Sequence, residues 1–519
     1  MAVLRGNALA DDRIAIIGAG MAGIAMGVQL KRLLKHENFC IYEKGNDIGG
    51  TWTDNRYPNL SCDVVSEFYS FSFFQKPDWS EKYAQQREIL DYIHDCARHF
   101  QLESHIALQQ ECRSVSWSES ERLWTLSLWD IPHEKSYVVQ ARYIVTAMGV
   151  LNIPNGLSDL PVLTHFGGPV FHTSQWRETD FRDKRVMVIG NGCSANQVVP
   201  WILNNQRPRT LVQIVRSEQW VAPKNNYRIS TFTKWCLRHI PFAMKVRRLW
   251  AAYQLDRGFV AYRNTTAGAK ARNSAAESVK SYMRSVANPT YHHLLIPRYD
   301  LGAKRPVMDH GYLEATNRPN FTLIKCDGIR SVESSDKKTV VDAAGNRHDV
   351  DIIILANGFQ TQDLLSPMEV RGIKDQDLRA LWQQRGGSEA YMGVTVHGFP
   401  NFFMLAGPNT LPSSNSTLHG IECSVVYITR ILRGIWGKSL AQRADAISVM
   451  PTAEAETQFN AALQADIKGL IYTSHVHSWY INKETGKNTL IWPGTQFSFW
   501  WNRCVTAIKW TDWIIERHS

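Results

Sequence analysis

The sequence lacks paired cysteines, long apolar runs and clustered metal ligands, and each absence removes a class of protein. Its nine cysteines stand singly, with no CxxC pair. That spacing excludes a disulfide scaffold and a structural zinc site, and it points to a reducing compartment. No eighteen apolar residues run uninterrupted, so no transmembrane segment is expected. Residues 1–12 include Arg5, Asp11 and Asp12 and have no secretory apolar core, so the expectation is no signal peptide and a cytoplasmic protein. The tandem His292–His293 has no third ligand at a recognised spacing, and no metal is expected.

What is present is an ordinary globular composition, 44% hydrophobic and 20% charged, on 519 residues. That length suits two or three domains. The net charge of +10 is concentrated: Pro223 to Lys304 holds fifteen Lys or Arg against three Asp or Glu, and the remainder 43 against 45. Such a segment suits steering of a polyanionic ligand, contact with nucleic acid or an anionic membrane, or a set of solvated helix faces. No nucleic-acid motif accompanies it, so no nucleic-acid partner is expected. The aromatic tail FSFWWNRCVTAIKWTDWIIERHS is expected to pack onto the protein or line an apolar pocket rather than lie on a membrane. Nothing in the chain sets an oligomeric state.

Two stretches carry nucleotide chemistry. In RIAIIGAGMAGIAMGVQL, Ile14, Ile16 and Ile17 form a short buried strand, and Gly18, Gly20 and Gly23 open a helix at about Met21. The first glycine permits the turn, the second lets backbone approach a pyrophosphate, and the third lets helix and strand pack closely. Glu43, twenty residues beyond Gly23 at the end of the next strand, stands where an acid grips ribose hydroxyls.

The second stretch, KRVMVIGNGCSANQVV, repeats the unit with Gly190, Gly192 and Ala195. After its following strand, LVQIV, come Arg216 and Ser217 rather than an acid. A guanidinium and a hydroxyl welcome a 2′-phosphate that a carboxylate would repel, so this site is expected to take NADP. Two dinucleotide sites suggest a flavin with a nicotinamide, FAD at the first site. Reductase, oxidase and monooxygenase all remain open on this ground alone.

Further segments carry a resemblance. In GGTWTDNRYPNLSCDVVSEFYSFSF, residues Gly49, Gly50, Trp52, Tyr57, Pro58 and Asp63, and in FGGPVFHTSQW, residues Phe166, Gly168, His172 and Trp176, stand in register with fingerprints of type I Baeyer–Villiger monooxygenases. GAKRPVMDHGYLEATNRPNFTLI, HGFPNFFMLAGPNT with NSTLHGIE, and HSWYINKETGKNTLIWPG resemble later segments of that family. Departures are Asn59, where Gly or Met is usual, Arg177 after the signature tryptophan, and Asn357 and Met148 in the two strand-end turns. Asn tolerates left-handed backbone, so the turn at Asn59 is expected to survive. Trp176 favours this family over the related N- and S-oxygenating flavin monooxygenases, which carry Tyr or Phe there.

The resemblance implies an enzyme that passes hydride from NADPH to FAD, adds O2 to the reduced flavin as a C4a-peroxide, and converts a ketone to an ester or lactone. It implies that Thr51, Trp52, Asp63, Tyr69, Val115 and Thr417 adjoin the flavin, and that Ser194 adjoins NADP. Lys304 would meet the 2′-phosphate, and Arg305 would lie near the flavin and stabilise anionic oxygen. Asp63 would orient Arg305, as a carboxylate beside a guanidinium can. The signature segment would order the two nucleotide domains during the cycle. Competing readings are an N- or S-oxygenase, a reductase, for which a redox cysteine pair is missing, and a non-catalytic flavoprotein binding module.

The expected fold class is α/β, with two Rossmann-like dinucleotide-binding domains and a helical insertion. The FAD domain takes residues 1–150 and 358–519, the NADP domain 160–222 and 305–357. The basic helical insertion, 223–304, is expected over the cleft, shaping the substrate site.

Overall fold

The computed structural model describes residues 12–412, 415–436, 446–473 and 478–517. The N-terminal stretch searched for a signal peptide, apart from residue 12, lies outside the described residues, as does His477 of the C-terminal segment.

Two five-stranded parallel sheets organise the chain. In the first, the order is Phe402–Met404, Tyr143–Thr146, Ile14–Ile17, Phe39–Glu43, Ile106–Leu108. In the second it is Phe321–Lys325, Thr210–Val215, Arg185–Ile189, Ile352–Leu355, Val170–His172. All-parallel strands need crossover connections that cover both faces, which is why Ile14–Ile17 and Ile352–Leu355 are apolar throughout and wholly buried. Both halves are Rossmann-like, as expected. The first sheet takes its outer strand from beyond residue 400, so the chain does return to it after completing the second.

Gly23 fixes how tightly the first helix, Met21–Gln29, sits on its strand. A Cβ there would stand 1.9 Å from the carbonyl oxygen of Gly18. Asn59 has φ +66°, the left-handed backbone anticipated for it. The signature stretch is more than a connector: Val170–His172 is an edge strand of the second sheet, paired with Ile353–Leu355.

Residues 223–304 are helical, with helices Thr231–His239, Ala243–Arg257 and Thr266–Val286. The Ser230 and Thr265 hydroxyls cap the first and third by accepting from Thr233 N and Gly268 N. The middle helix is anchored by a buried arginine. Arg248 donates to Ser70 O (2.6 Å) and Glu67 O (3.2 Å) and pairs with Glu422 Oε2 at 2.9 Å. Glu422 Oε1 in turn accepts from Ser72 N and Ser72 Oγ, both at 2.7 Å. A buried pair so fully hydrogen-bonded holds its helix in one place, and removing one partner strands the other charge.

Candidate active site

The glycine turns of both sheets open into one cavity of about 1490 Å³. A single drug-sized ligand needs roughly 300–1,000 Å³, so the cavity exceeds one such ligand. From the first sheet's side it is lined by Gly18, Gly20, Glu43, Thr51, Trp52, Asp63, Tyr69 and Thr417; from the second's by Gly192, Ser194, Arg216, Ser217, Lys304 and Arg305.

On the first side the backbone forms the floor. A Cβ on Gly50 would stand 3.0 Å from Gly20 Cα, so the two glycines make a cradle that side chains would fill. Glu43 closes the strand end, its Oε2 accepting from Ala19 N and its Oε1 from Gly45 N, each at 2.7 Å. Burial raises its carboxyl above the usual range, and these two N–H groups act against that. Trp52 is buried at the cavity wall, its Nε1 donating to Tyr69 OH at 3.2 Å.

On the second side, Arg216, Ser217 and Lys304 meet. Lys304 Nζ donates to Ser217 Oγ at 2.9 Å, and burial with the neighbouring Arg216 charge depresses the Lys304 ammonium below the ordinary lysine range. Two cations and a hydroxyl form an anion site, with the neighbouring Glu218 carboxylate engaged by Lys325 at 2.7 Å. Nothing lies within 4 Å of where a Cβ on Gly192 would stand, which leaves open space at the start of the helix Cys193–Trp201. That is the setting in which a helix N-terminus takes a diphosphate. The residues present therefore fit a flavin dinucleotide at the first turn and NADP at the second.

Arg305 lies between the two. Its main-chain oxygen accepts from Gln219 Nε2 at 2.7 Å, and its guanidinium makes no hydrogen bond or ion pair among the described residues. Burial acts against its charge and the nearby Asp63 carboxylate supports it, and a guanidinium keeps its proton, so Arg305 is cationic.

The expected contact between Asp63 and Arg305 is not formed. Asp63 Oδ1 instead lies 3.7 Å from Lys224 Nζ and 3.4 Å from His310 Nε2. Burial would raise the Asp63 carboxyl, but His310, Lys224 and Arg305 together hold it below the usual carboxylate range. Lys224 Nζ also donates to Ser61 Oγ (2.8 Å) and Cys62 O (3.2 Å), and stands 2.9 Å from His310 Nε2. Burial pulls the Lys224 ammonium down, with Asp63 pulling it back up.

Comparison with known proteins identifies the family. A family described as flavin-binding monooxygenase-like matches residues 11–226. A protein of Pseudomonas aeruginosa named Baeyer-Villiger monooxygenase is 33% identical over 491 residues, covering 94% of this chain and 88% of that one. The chain belongs to the Baeyer–Villiger monooxygenase family. Among solved structures, cyclohexanone monooxygenase from Rhodococcus sp. Phi1 bound to NADP+ is similar at a TM-score of 0.81 and 25% identity, covering 98% of this chain and 99% of that one. The OTEMO complex with FAD and NADP has the same fold, with a TM-score of 0.82 at 24% identity over 97% of this chain and 99% of that one.

Within this Baeyer–Villiger chain, several expected site residues stand behind the cavity rather than on it. Gly23, Gly190 and Ala195 do not line it; Gly23 and Ala195 sit where helix meets strand. Val115 is a correction: it is fully buried in the sheet Gln110–Ser118 with Leu123–Asp130, paired with Leu126, and Glu111 and Cys112 form the wall instead. Phe166, Gly168, His172 and Trp176 also lie off the cavity. His172 meets Phe359 edge-on at 5.3 Å, and Phe359 is a lining residue. Burial lowers the His172 imidazole below the usual range, so the neutral form packs there. Trp176 packs on Phe171 and Trp201, which ties the edge strand to the helix after the second turn.

The insertion is a second correction. None of residues 223–303 lines the cavity; the segment works from behind, through Lys224 on Asp63 and Asp256 on Asn415. Lys224 and His310 were missed by sequence reasoning. Lys224 was legible only as one of many cations, and His310 only as a residue five places beyond Arg305.

Cys62 and Cys193 line the cavity, but burial pushes both thiols up to about 12. Neither is a thiolate near neutral pH, which argues against dithiol chemistry.

Proposed function

We infer that this enzyme uses FAD, NADPH and O2 to insert one oxygen atom beside a ketone carbonyl, and that Arg305 is the charged group at the reacting centre. The ketone becomes an ester or lactone, NADPH becomes NADP+, and the second oxygen atom leaves as water. Bound flavin supplies the electron relay between NADPH and O2 and hence the oxygen atom that is transferred.

The protein's part is to bind, orient and stabilise charge. Gly18, Gly20 and Gly50 would cradle the flavin diphosphate and Glu43 its ribose, while Trp52, Tyr69 and Thr417 would border the ring. Gly192 and Ser194 would receive the NADP diphosphate, and Arg216, Ser217 and Lys304 its 2′-phosphate. Arg305 would donate to the negative charge that develops on oxygen as the ketone is attacked. A fixed guanidinium away from bulk water is worth far more there than in solvent. Asp63, held ionised by Lys224 and His310, adds negative potential near Arg305 without occupying its donors.

The observation that carries the reading is the free Arg305 guanidinium in the cavity shared by both nucleotide turns. Arg305→Ala should keep FAD and lose ester formation by about 10²–10³-fold, since one such donor is worth about 3–4 kcal/mol. Oxygen-dependent NADPH consumption, with products identified by mass spectrometry on ketones, a thioether and an amine, decides it. Undiminished ester formation by that variant would remove Arg305 from the centre; sulfoxide or N-oxide alone from the unaltered enzyme would move it to heteroatom oxygenation.

A further inference from the structure

The insertion carries a helix that packs Ala251, Ala252 and Leu255 inward but leaves larger apolar side chains outside. In Ala243–Arg257 the one buried side chain is Arg248, anchored on Glu422. Beside the exposed Lys245, Gln254 and Arg257, large apolar side chains stand outward: Phe242 (71%), just before the helix, then Val246 (63%), Leu249 (69%), Trp250 (60%) and Tyr253 (55%). Phe242, Val246, Leu249 and Tyr253 recur every three to four residues, with Trp250 four beyond Val246, so they share one face. The preceding helix extends the same character with Phe232 (72%) and Trp235 (54%) and packs against this one. On the other flank, Asp256 accepts from Gln496 N and Phe497 N, each at 2.9 Å, and so fixes a short aromatic helix whose Phe497, Trp500 and Trp501 also face outward. Contiguous exposed aromatics on this scale mark an interaction face.

Charge identifies the partner. Residues 231–257 hold six Lys or Arg against one acid, Asp256, whose carboxylate is already engaged. Lys234, Lys245 and Arg257 have no carboxylate within ion-pair distance among the described residues. Lys245 Nζ stands 5.4 Å over the Phe242 ring, and the Arg257 guanidinium 5.8 Å over Tyr253. The cations thus border the aromatic stripe, the arrangement in which rings enter a headgroup layer while ammonium and guanidinium groups meet lipid phosphates. No helix among the described residues is long and apolar enough to cross a membrane, so the contact is one of lying on a surface.

We propose that the Phe232–Tyr253 face, with Phe497, Trp500 and Trp501 beside it, docks this enzyme onto an anionic lipid surface. The sequence placed the aromatic question in the C-terminal tail alone. There Phe499 and Arg503 are fully buried, and the outward residues adjoin the insertion instead. The docking face is joined to the cavity wall through Asp256 Oδ1, which accepts from Asn415 Nδ2 at 3.0 Å. The proposal rests on exposure and charge and is independent of the reaction assigned above.

The test is co-sedimentation of the FAD-loaded full chain with vesicles of phosphatidylcholine plus phosphatidylglycerol, and of phosphatidylcholine alone. The expected result is at least about tenfold more protein bound to the anionic vesicles, with release at high salt. Leu249→Glu/Trp250→Glu should abolish binding and Lys245→Glu weaken it several-fold, with FAD content and ketone turnover in solution unchanged. No sedimentation with either vesicle overturns the proposal, and equal, salt-insensitive binding overturns the anionic partner. A dimer in solution that the double variant converts to monomer, without vesicle binding, would make the face a contact between copies.

Discussion

Lys224 Nζ stands 3.7 Å from Asp63 Oδ1, with both side chains almost wholly buried, at 4% and 11% exposure. This contact joins the start of the insertion to the loop beside the flavin-side cradle, and it leaves Arg305 without a carboxylate partner among the described residues.

Lys224→Met leaves Asp63 buried without its cation. Loss of one partner from a buried pair costs about 3–5 kcal/mol. Chemical denaturation followed by flavin fluorescence should show a loss of that size. Asp63→Asn combined with Lys224→Met should lie closer to the unaltered enzyme than the sum of the two single changes. Simple additivity of the two would mean that the pair does not couple.

Arg216, Ser217 and Lys304 make a separate prediction, on coenzyme choice. Arg216→Ala or Lys304→Ala removes one charge-assisted contact, worth about 1.5–3 kcal/mol. Selectivity for NADPH over NADH in kcat/KM should fall by roughly 10- to 100-fold, mostly through KM for NADPH, with NADH turnover little changed. A variant that loses activity equally with both coenzymes would place the residue elsewhere in function.

Two glycine-to-alanine changes should behave oppositely. Gly23→Ala drives a Cβ into the Gly18 carbonyl and should prevent helix and strand from closing, so little flavin-loaded protein is recovered. Gly192→Ala meets open space in the protein and should fold with FAD in place. Its cost should appear as a raised KM for NADPH, because the methyl enters the diphosphate's space. Equal behaviour of the two variants would contradict the division between packing and binding glycines.

Acid stability should depend on Asp351. Arg185 binds its carboxylate through Nε, NH2 and the main-chain N at 3.0–3.1 Å, chiefly through these hydrogen bonds holding the carboxyl at about 2. The folded value is below the unfolded one, so the stabilisation is complete above about 4 and is lost as pH falls toward about 2. It amounts to on the order of 2 kcal/mol at low salt. Asp351→Asn should flatten the stability profile across that window; an unchanged slope would show that other carboxylates govern it.

Much of this was legible in the sequence because it rests on local rules. The turns at Gly18 and Gly190 announce themselves, since strand, glycines and helix lie within about twenty consecutive residues. The left-handed Asn59 followed from a side chain that tolerates that backbone. The partner of Asp63 was not legible. Arg305, Lys224 and His310 are each far from residue 63 in sequence, and which cation reaches a buried carboxylate depends on backbone positions set by both sheets. The same holds for the outward face of Ala243–Arg257. The sequence shows only a basic helical segment there, and which side is buried is set by Arg248 reaching Glu422.

The second sheet, with strands from residue 170 to 355, is nested in sequence inside the first, which opens at Ile14 and closes at Met404. During synthesis the inner sheet therefore has all its strands while the outer one still lacks its edge. The first sheet must leave one edge of Tyr143–Thr146, the edge not held by Ile14–Ile17, unpaired until Phe402–Met404 emerges, an interval in which that edge is open to wrong partners. A hybrid made from two relatives by a single crossover between those limits would join halves of the outer sheet that never coevolved. Two crossovers, flanking the inner sheet, would exchange it whole.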